Sequence, residues 1–300
     1  MQTIYLDHNT NHYFVAGFPE GWDETAERAG VRQVLDSEGN LRFASSLWNV
    51  VEISRENYER MEAVARFVDA CNPMWLVERR NIQKQEVKNF VYEMIRGRPR
   101  RAEPVRPFRE HLSEVLHIVD PQEIPRLGEN ALSLARELAR QPLVQQPLRR
   151  VEMMTPEALR TLQRARSDGT LTREIEEETI RQWIGLSLPV EDLDGRTFNL
   201  LEQVENMEQC ARRYGELLDR CPAMKAENIL ERYRTENPGR NPERQDAIDL
   251  QHMVPALAYC DAVVTNDGYL RQQCERYAGE TGANIVVAAR LSHAVERLST

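Results

Sequence analysis

Apolar positions change period along the chain, and those changes mark its elements. From Asp246 to Tyr259, the residues Ile248, Met253, Ala256 and Leu257 recur at helical spacing. Cys260 to Thr265 is a short Val-rich run of the kind that forms a buried strand in an α/β sheet, and Asn266, Asp267 and Gly268 break it with turn residues. At the other end, Thr3 to Asp7 (TIYLD) reads as a first strand, with HNTNH after it as a polar turn. Asp23 starts a helix to about Leu35, interrupted by Gly30, and Leu41 to Ser45 is a second strand. Ser45 or Ser46 then caps a long helix running to about Cys71, with Leu47, Val50, Val51, Tyr58, Met61 and Val64 on its apolar side. Met74 to Val77 is a short strand, Gln83 to Ile95 a helix, Asn284 to Ala288 a last buried strand, and a closing helix surrounds Arg290 to Leu298.

Between these ends the pattern differs. RGRPRRAEPVRP, with Pro99, Pro104 and Pro107, reads as an extended basic connector, and Phe108 to Glu236 is almost wholly helical. ENPGRNPE, 236–243, is a second connector. Either terminal piece alone has too few strands to bury a sheet. The expected architecture is therefore a three-layer α/β/α sandwich around a central, mostly parallel sheet, plus a large all-helical insertion. The expected boundaries are 1–96 and 241–300 for the core, and 97–240 for the insertion.

Composition narrows the class. With 41% hydrophobic and 29% charged residues, the chain has the make-up of a water-soluble globular protein, and no run approaches a membrane span. The start MQTIYLDHNTNHYF lacks the basic opening and long apolar region of a signal peptide, and five cysteines without CxxC spacing fit reduced thiols in a cytoplasmic protein. The net charge of −9 is unevenly spread. From Arg79 to Arg109 there are ten Lys or Arg against three Glu, a local +7 that leaves −16 elsewhere. A basic stretch within an acidic chain can present a phosphate-binding face, although a solvated helix surface accounts equally well for such a run.

Carboxylates stand where an α/β sheet gathers ligands, at the carboxyl ends of its strands. Asp7 ends the first strand and Asp267 follows the Val-rich one. Asp246 and Asp249 share a face of the helix between Asp246 and Tyr259, and Glu52 lies near a buried helical stripe beside Trp48 and Ile53. An acid in that setting must be paired, hydrated or metal-bound to stay ionised. Ordinary roles exist for each: first-turn acids favoured by a helix dipole, a turn former, and a salt bridge from Glu52 to Arg55 or Arg60.

Taken together, YLDHN at 5–9, LWNVVEISR at 47–55, DLQHMVPALAYCDAVVTND at 249–267 and the terminal NIVV resemble the PIN-domain (PIN-like) nucleases. The resemblance covers about 1–96 and 241–300. It implies a cluster of Asp7, Glu52, Asp249 and Asp267, with Asp246 alongside, holding Mg²⁺ or Mn²⁺, and Asn9 and Thr265 in auxiliary roles. It further implies metal-dependent endonuclease action on a phosphodiester by a two-metal mechanism, giving 5′-phosphate and 3′-hydroxyl ends. Hard cations take oxygen ligands, and crowded carboxylates ionise together only with a cation between them. Whether Glu86 joins the cluster is open, and His252 either contacts substrate or packs inside its helix. YLDHNT also resembles the opening of pyridoxal-phosphate cysteine desulfurases, but Lys84, Lys88 and Lys225 lack the context for a Schiff base.

The expected substrate is nucleic acid, single-stranded RNA before DNA, because unpaired strands reach a recessed site more easily. Arg79, Arg80, Lys84 and the arginines of 96–101 are expected to hold its phosphates. The insertion would offer a protein partner or a second copy a surface. Toxin, defence effector and RNA-processing enzyme fit equally well. The rival class is a non-catalytic adaptor that binds RNA or protein, in which the carboxylates lie apart or pair with arginines.

Overall fold

A computed structural model describes residues 1–97, 102–119, 130–140, 146–171, 184–185, 188–189, 197–237 and 239–300. In chain order the first elements are β1 (Gln2–Leu6), α1 (His8–Ala16), α2 (Glu24–Leu35), β2 (Leu41–Ser46), α3 (Leu47–Ile53), α4 (Tyr58–Cys71) and β3 (Met74–Leu76). They are followed by α5 (Arg79–Phe90) with a π-helical turn at Val91–Ile95, β4 (Phe108–Arg109), α6 (Leu112–Val119), α7 (Ala131–Arg140) and α8 (Gln146–Ser167). The remainder comprises α9 (Leu200–Arg212), α10 (Tyr214–Arg220), α11 (Pro222–Glu236), α12 (Asp246–Tyr259), β5 (Ala262–Val264), α13 (Gly268–Thr281), β6 (Val286–Ala288) and α14 (Leu291–Ser299). The chain forms two compact units: 1–78 with 107–154 and 244–300, and 79–106 with 155–243. These bounds differ from the expected 97–240 insertion. Helix α5 goes with the second unit, while β4, α6 and α7 go with the first.

The first unit is a mixed α/β sandwich around a six-stranded sheet of order β4-β3-β2-β1-β5-β6, parallel except at β4. Its central strand shows why the sheet was legible. Thr3 to Leu6 are all buried, as expected of a parallel strand covered on both faces. Alternation sorts the faces. Ile4, Leu6, Leu41, Phe43, Ala262 and Val264 pack with Phe14 of α1, Val34 of α2 and Leu291, Ala294 and Val295 of α14. On the opposite face, Tyr5 meets Asn49 of α3 and His252 of α12. A further core joins α3, α4, α6 and α7 through Val50, Ile53, Val64, Leu112 and Leu134. Asp69 of α4 caps α7 by accepting from Ala131 N at 2.7 Å and Leu132 N at 3.1 Å.

Several local expectations are corrected. HNTNH is the start of a helix, because the Asp7 side chain caps it by accepting from His8 N. The long helix to Cys71 is two helices: α3 stops at Ile53, and Asn57 caps a new start by accepting from Arg60 N at 3.0 Å. Gly30 does not interrupt α2. A Cβ there would sit 3.3 Å from Leu291 Cγ, so the glycine lets α14 approach closely. The segment from Phe108 to Glu236 is not wholly helical, since Phe108 and Arg109 pair antiparallel with Leu76 and Trp75.

The second unit contains a large helical insertion. Its core is Val87, Phe90, Val91, Cys210, Leu217, Cys221 and Met224. Glu86 accepts from Ala223 N at 2.9 Å and Met224 N at 3.3 Å, capping the first turn of α11, whose first residue is Pro222. All five cysteines are free thiols and buried. Among the described residues no helix is long and apolar enough to cross a membrane.

Candidate functional site

Sheet order alone places the site. From β1 the chain adds β2 and β3 on one side, then β5 and β6 on the other, so the strand order reverses between β1 and β5. The crevice beyond the carboxyl ends at such a switch point is where open α/β sheets bind ligands. Leu6 is in register with Val264, and Asp7 and Thr265 therefore emerge side by side.

Each strand end launches a helix with an acid at its cap. The two oxygens of Asp7 are divided: Oδ1 accepts from His8 N at 2.7 Å, and Oδ2 accepts from the Thr265 hydroxyl at 2.9 Å. Thr265 Oγ1 accepts in turn from Asp267 N at 3.2 Å, and Asp267 caps α13 by accepting from Leu270 N at 2.8 Å. The positive ends of α1 and α13 thus meet two carboxylates.

Glu52 arrives from α3, which is fixed to β1 through Asn49. That side chain accepts from Tyr5 Oη at 2.6 Å and from Ser46 N at 3.0 Å, and its amide donates to Leu6 O at 3.3 Å. Glu52, three residues on, shares that helix face. Its Oε1 accepts from Gln245 Nε2, while Oε2 is buried without a hydrogen-bond partner. Asp249 comes from the first turn of α12, 3.8 Å from the wholly buried His252, whose ring stacks on Tyr5 with centroids 5.8 Å apart.

Asp7, Glu52, Asp249 and Asp267 line one cavity of about 280 Å³, together with His8, Asn9, Arg55 and Gln245. Asp7, Glu52 and His252 each offer a donor atom within 4.8 Å of the others, a buried Asp/Glu/His cluster capable of coordinating a metal ion. The protonation equilibria carry the strain of this crowding. Burial, with the neighbouring Asp267 charge, pushes Asp7 up to about 6 against the lowering effect of its hydrogen bonds from Thr265 and His8. Burial and the charges of Asp7 and Asp249 hold Glu52 well above the usual carboxylate range.

The other expected residues fall in different places. Asn9 lines the cavity, and Thr265 fixes the Asp7 rotamer. Asp246 is fully buried at the start of α12 and does not line the cavity. Arg79 is in the second unit, buried and ion-paired to Glu227 at 2.8 Å, with Gln83 on the same carboxylate. The sequence expectation is that it holds substrate phosphate; in the structure its guanidinium holds Glu227 instead. Arg80 and Lys84 are exposed on α5, and Arg98, Arg100 and Arg101 lie outside the described residues. Glu86 is occupied in the second unit as the cap of α11.

Two contributors have roles the sequence did not indicate: Arg55, weighed there only as a salt-bridge partner of Glu52, and Gln245. Arg55 is the cation on the cavity wall, and it is held by Glu152 Oε1 at 2.6 Å rather than by Glu52. Its spacing of three from Glu52 was the available signal. Gln245, the ligand of Glu52, lies just before α12 and carried no signal of its own. No family model, curated protein or solved structure matches the chain.

Proposed function

We propose that the chain is a metal-dependent nuclease of PIN-like type that hydrolyses phosphodiester bonds, preferentially in single-stranded RNA. The observation that carries this reading is the convergence of Asp7, Glu52, Asp249 and Asp267 on one cavity at the sheet's switch point. The rival adaptor reading expects these acids apart or neutralised by arginines. Among the described residues, the arginine on the wall is Arg55, and it is engaged by Glu152.

The donor set fits Mg²⁺ or Mn²⁺. It is rich in hard oxygen, and one of its oxygens, Glu52 Oε2, is buried without a partner. Asp7 and Glu52 are driven by burial and by neighbouring carboxylates toward the neutral form unless a cation joins them. When bound, a divalent cation would acidify a water for in-line attack and offset charge on the phosphoryl and leaving oxygens.

The chain's own residues do the positioning. Asp7 and Glu52 form the floor, held by Thr265 and Gln245. Asp249 and Asp267 close the sides, and His252 supports Asp249 from the interior of α12. Asn9 and Arg55 face the incoming strand, where the guanidinium can exchange Glu152 for a phosphate oxygen. Departure of the 3′ oxygen leaves the phosphate on the 5′ end. Arg80 and Lys84 are exposed on α5 and offer phosphate contacts of their own within the second unit, which also offers surface for a protein partner or a second copy.

The test is cleavage of end-labelled single-stranded RNA and DNA in Mn²⁺, Mg²⁺ or EDTA, with Asp249→Asn and Glu52→Gln beside the unmodified chain. Cutting that needs the ion and is lost in both variants supports the proposal. Equal cutting by the variants, or none by the unmodified chain in either ion, would sink it.

A further inference from the structure

Helix α8 carries Arg160, Gln163, Arg164 and Ser167 at spacings of three and four, which puts them on one face. That face forms one wall of a cavity of about 360 Å³ in the second unit, and Arg240 and Asn241 form the other. We propose that this cavity is a phosphate-binding site whose ligand is a backbone phosphate of a nucleic-acid strand.

The wall opposite α8 is built rather than incidental. Gln163 is 6% exposed, and its amide nitrogen donates to Arg234 O and Asn237 O, each at 3.0 Å, and to Arg240 O at 3.3 Å. One buried side chain thereby ties the backbone before Asn241 to α8. Arg240 lines the cavity from a backbone held at its carbonyl.

Charge points the same way. Arg160 and Arg164 are exposed neighbours four apart on a helix, a like-charge arrangement that is unfavourable unless something negative lies between them. Among the described residues no carboxylate pairs with either. Arg160 Nε donates to Pro156 O at 3.1 Å. The acid on the rim, Asp168, is engaged locally, accepting from Thr170 N at 3.2 Å and from the Thr170 hydroxyl at 2.7 Å. The guanidinium groups of Arg160 and Arg164, with Ser167 and Asn241 as neutral donors, match the oxygens of a phosphodiester. Among the described residues no aromatic side chain joins the lining, which favours backbone over base recognition.

This site does not depend on the carboxylate cavity, and its test keeps the two claims apart. Anisotropy of a fluorescent single-stranded RNA is titrated in EDTA, where cleavage is off, with the unmodified chain, the exposed pair Arg160→Glu/Arg164→Glu, and Arg28→Glu as a charge control. Inorganic pyrophosphate is titrated in parallel and followed by thermal shift. The proposal predicts at least tenfold weaker RNA binding for the pair. It also predicts a salt slope shallower by about 1.4, roughly 0.7 for each lost phosphate contact, with the control near the unmodified chain. Loss of the pyrophosphate effect alone, with RNA binding intact, would reassign the cavity to a small free phosphate compound and overturn the strand assignment. No change in either titration would leave only solvated arginines and overturn the site.

Discussion

Replacing Asp7 with asparagine should stabilise the metal-free protein at alkaline pH while destroying its response to divalent cations. The carboxyl is 4% exposed and pushed from 3.8 up to about 6, first by burial and then by Asp267. Its folded-state value is raised, so the folded chain holds this proton more tightly than the unfolded chain. The group's contribution is most favourable below 3.8, declines as pH rises from 3.8 to 6, and is flat above. That rise corresponds to about 3 kcal/mol of destabilisation at pH 8. Asparagine removes that cost. Its oxygen still caps α1 by accepting from His8 N, and its amide faces Thr265, at a loss of about 1 kcal/mol for the altered hydrogen bond. The net expectation at pH 8 in EDTA is a gain of about 2 kcal/mol, or several degrees in the melting transition of the first unit. At pH 4 the gain should vanish. With Mn²⁺ at a hundred times its dissociation constant, the unmodified chain should gain about 2.7 kcal/mol and overtake the variant, which gains little. Thermal melts at the two pH values, with and without Mn²⁺, give the four comparisons. Equal destabilisation of Asp7→Asn at both pH values in EDTA would show a helix cap and nothing more, and would refute the reasoning.

Other substitutions test the placement of individual groups. Arg79→Ala strands Glu227 in the second unit and should cost about 3–5 kcal/mol in urea denaturation, a loss that an exposed phosphate contact would not cause. Gly30→Ala presses a methyl against Leu291 at 3.3 Å, and denaturation should show a loss of about 1 kcal/mol. Arg55→Ala should weaken cleavage about tenfold or more, chiefly through KM, while leaving Mn²⁺ affinity within a few-fold. Unchanged kinetics would remove Arg55 from the substrate path.

The sheet was readable because parallel strands covered on both faces are nearly continuous apolar runs, as in β1 and β5. Helix α12 was readable to its ends, Asp246 and Tyr259, because its apolar spacing is unbroken between acids and a strand. Helix α1 was hidden by its polar opening. The cap that starts it is Asp7, which as a sequence feature looked only like a strand end. The break between α3 and α4 lacks glycine and proline, and only the capping geometry of Asn57 marks it. At the site, the positions of Asp7, Asp249 and Asp267 follow from strand ends and a helix start. The supports from Gln245 and Thr265 are tertiary and leave little trace in local pattern. Arg79 shows the limit of counting charge: its partner Glu227 lies 148 residues away, so a basic run on paper contains a neutralised, buried pair in space.

The central claim is that these carboxylates hold a divalent cation, and Mn²⁺ binding reads it without knowledge of the substrate. Electron paramagnetic resonance follows loss of the free Mn²⁺ signal at pH 7.5 for the unmodified chain, Glu52→Gln and Asp249→Asn. The account predicts saturable binding of one or two ions, weakened at least tenfold in each variant. Absence of binding, or binding that both variants retain at full strength, would contradict it.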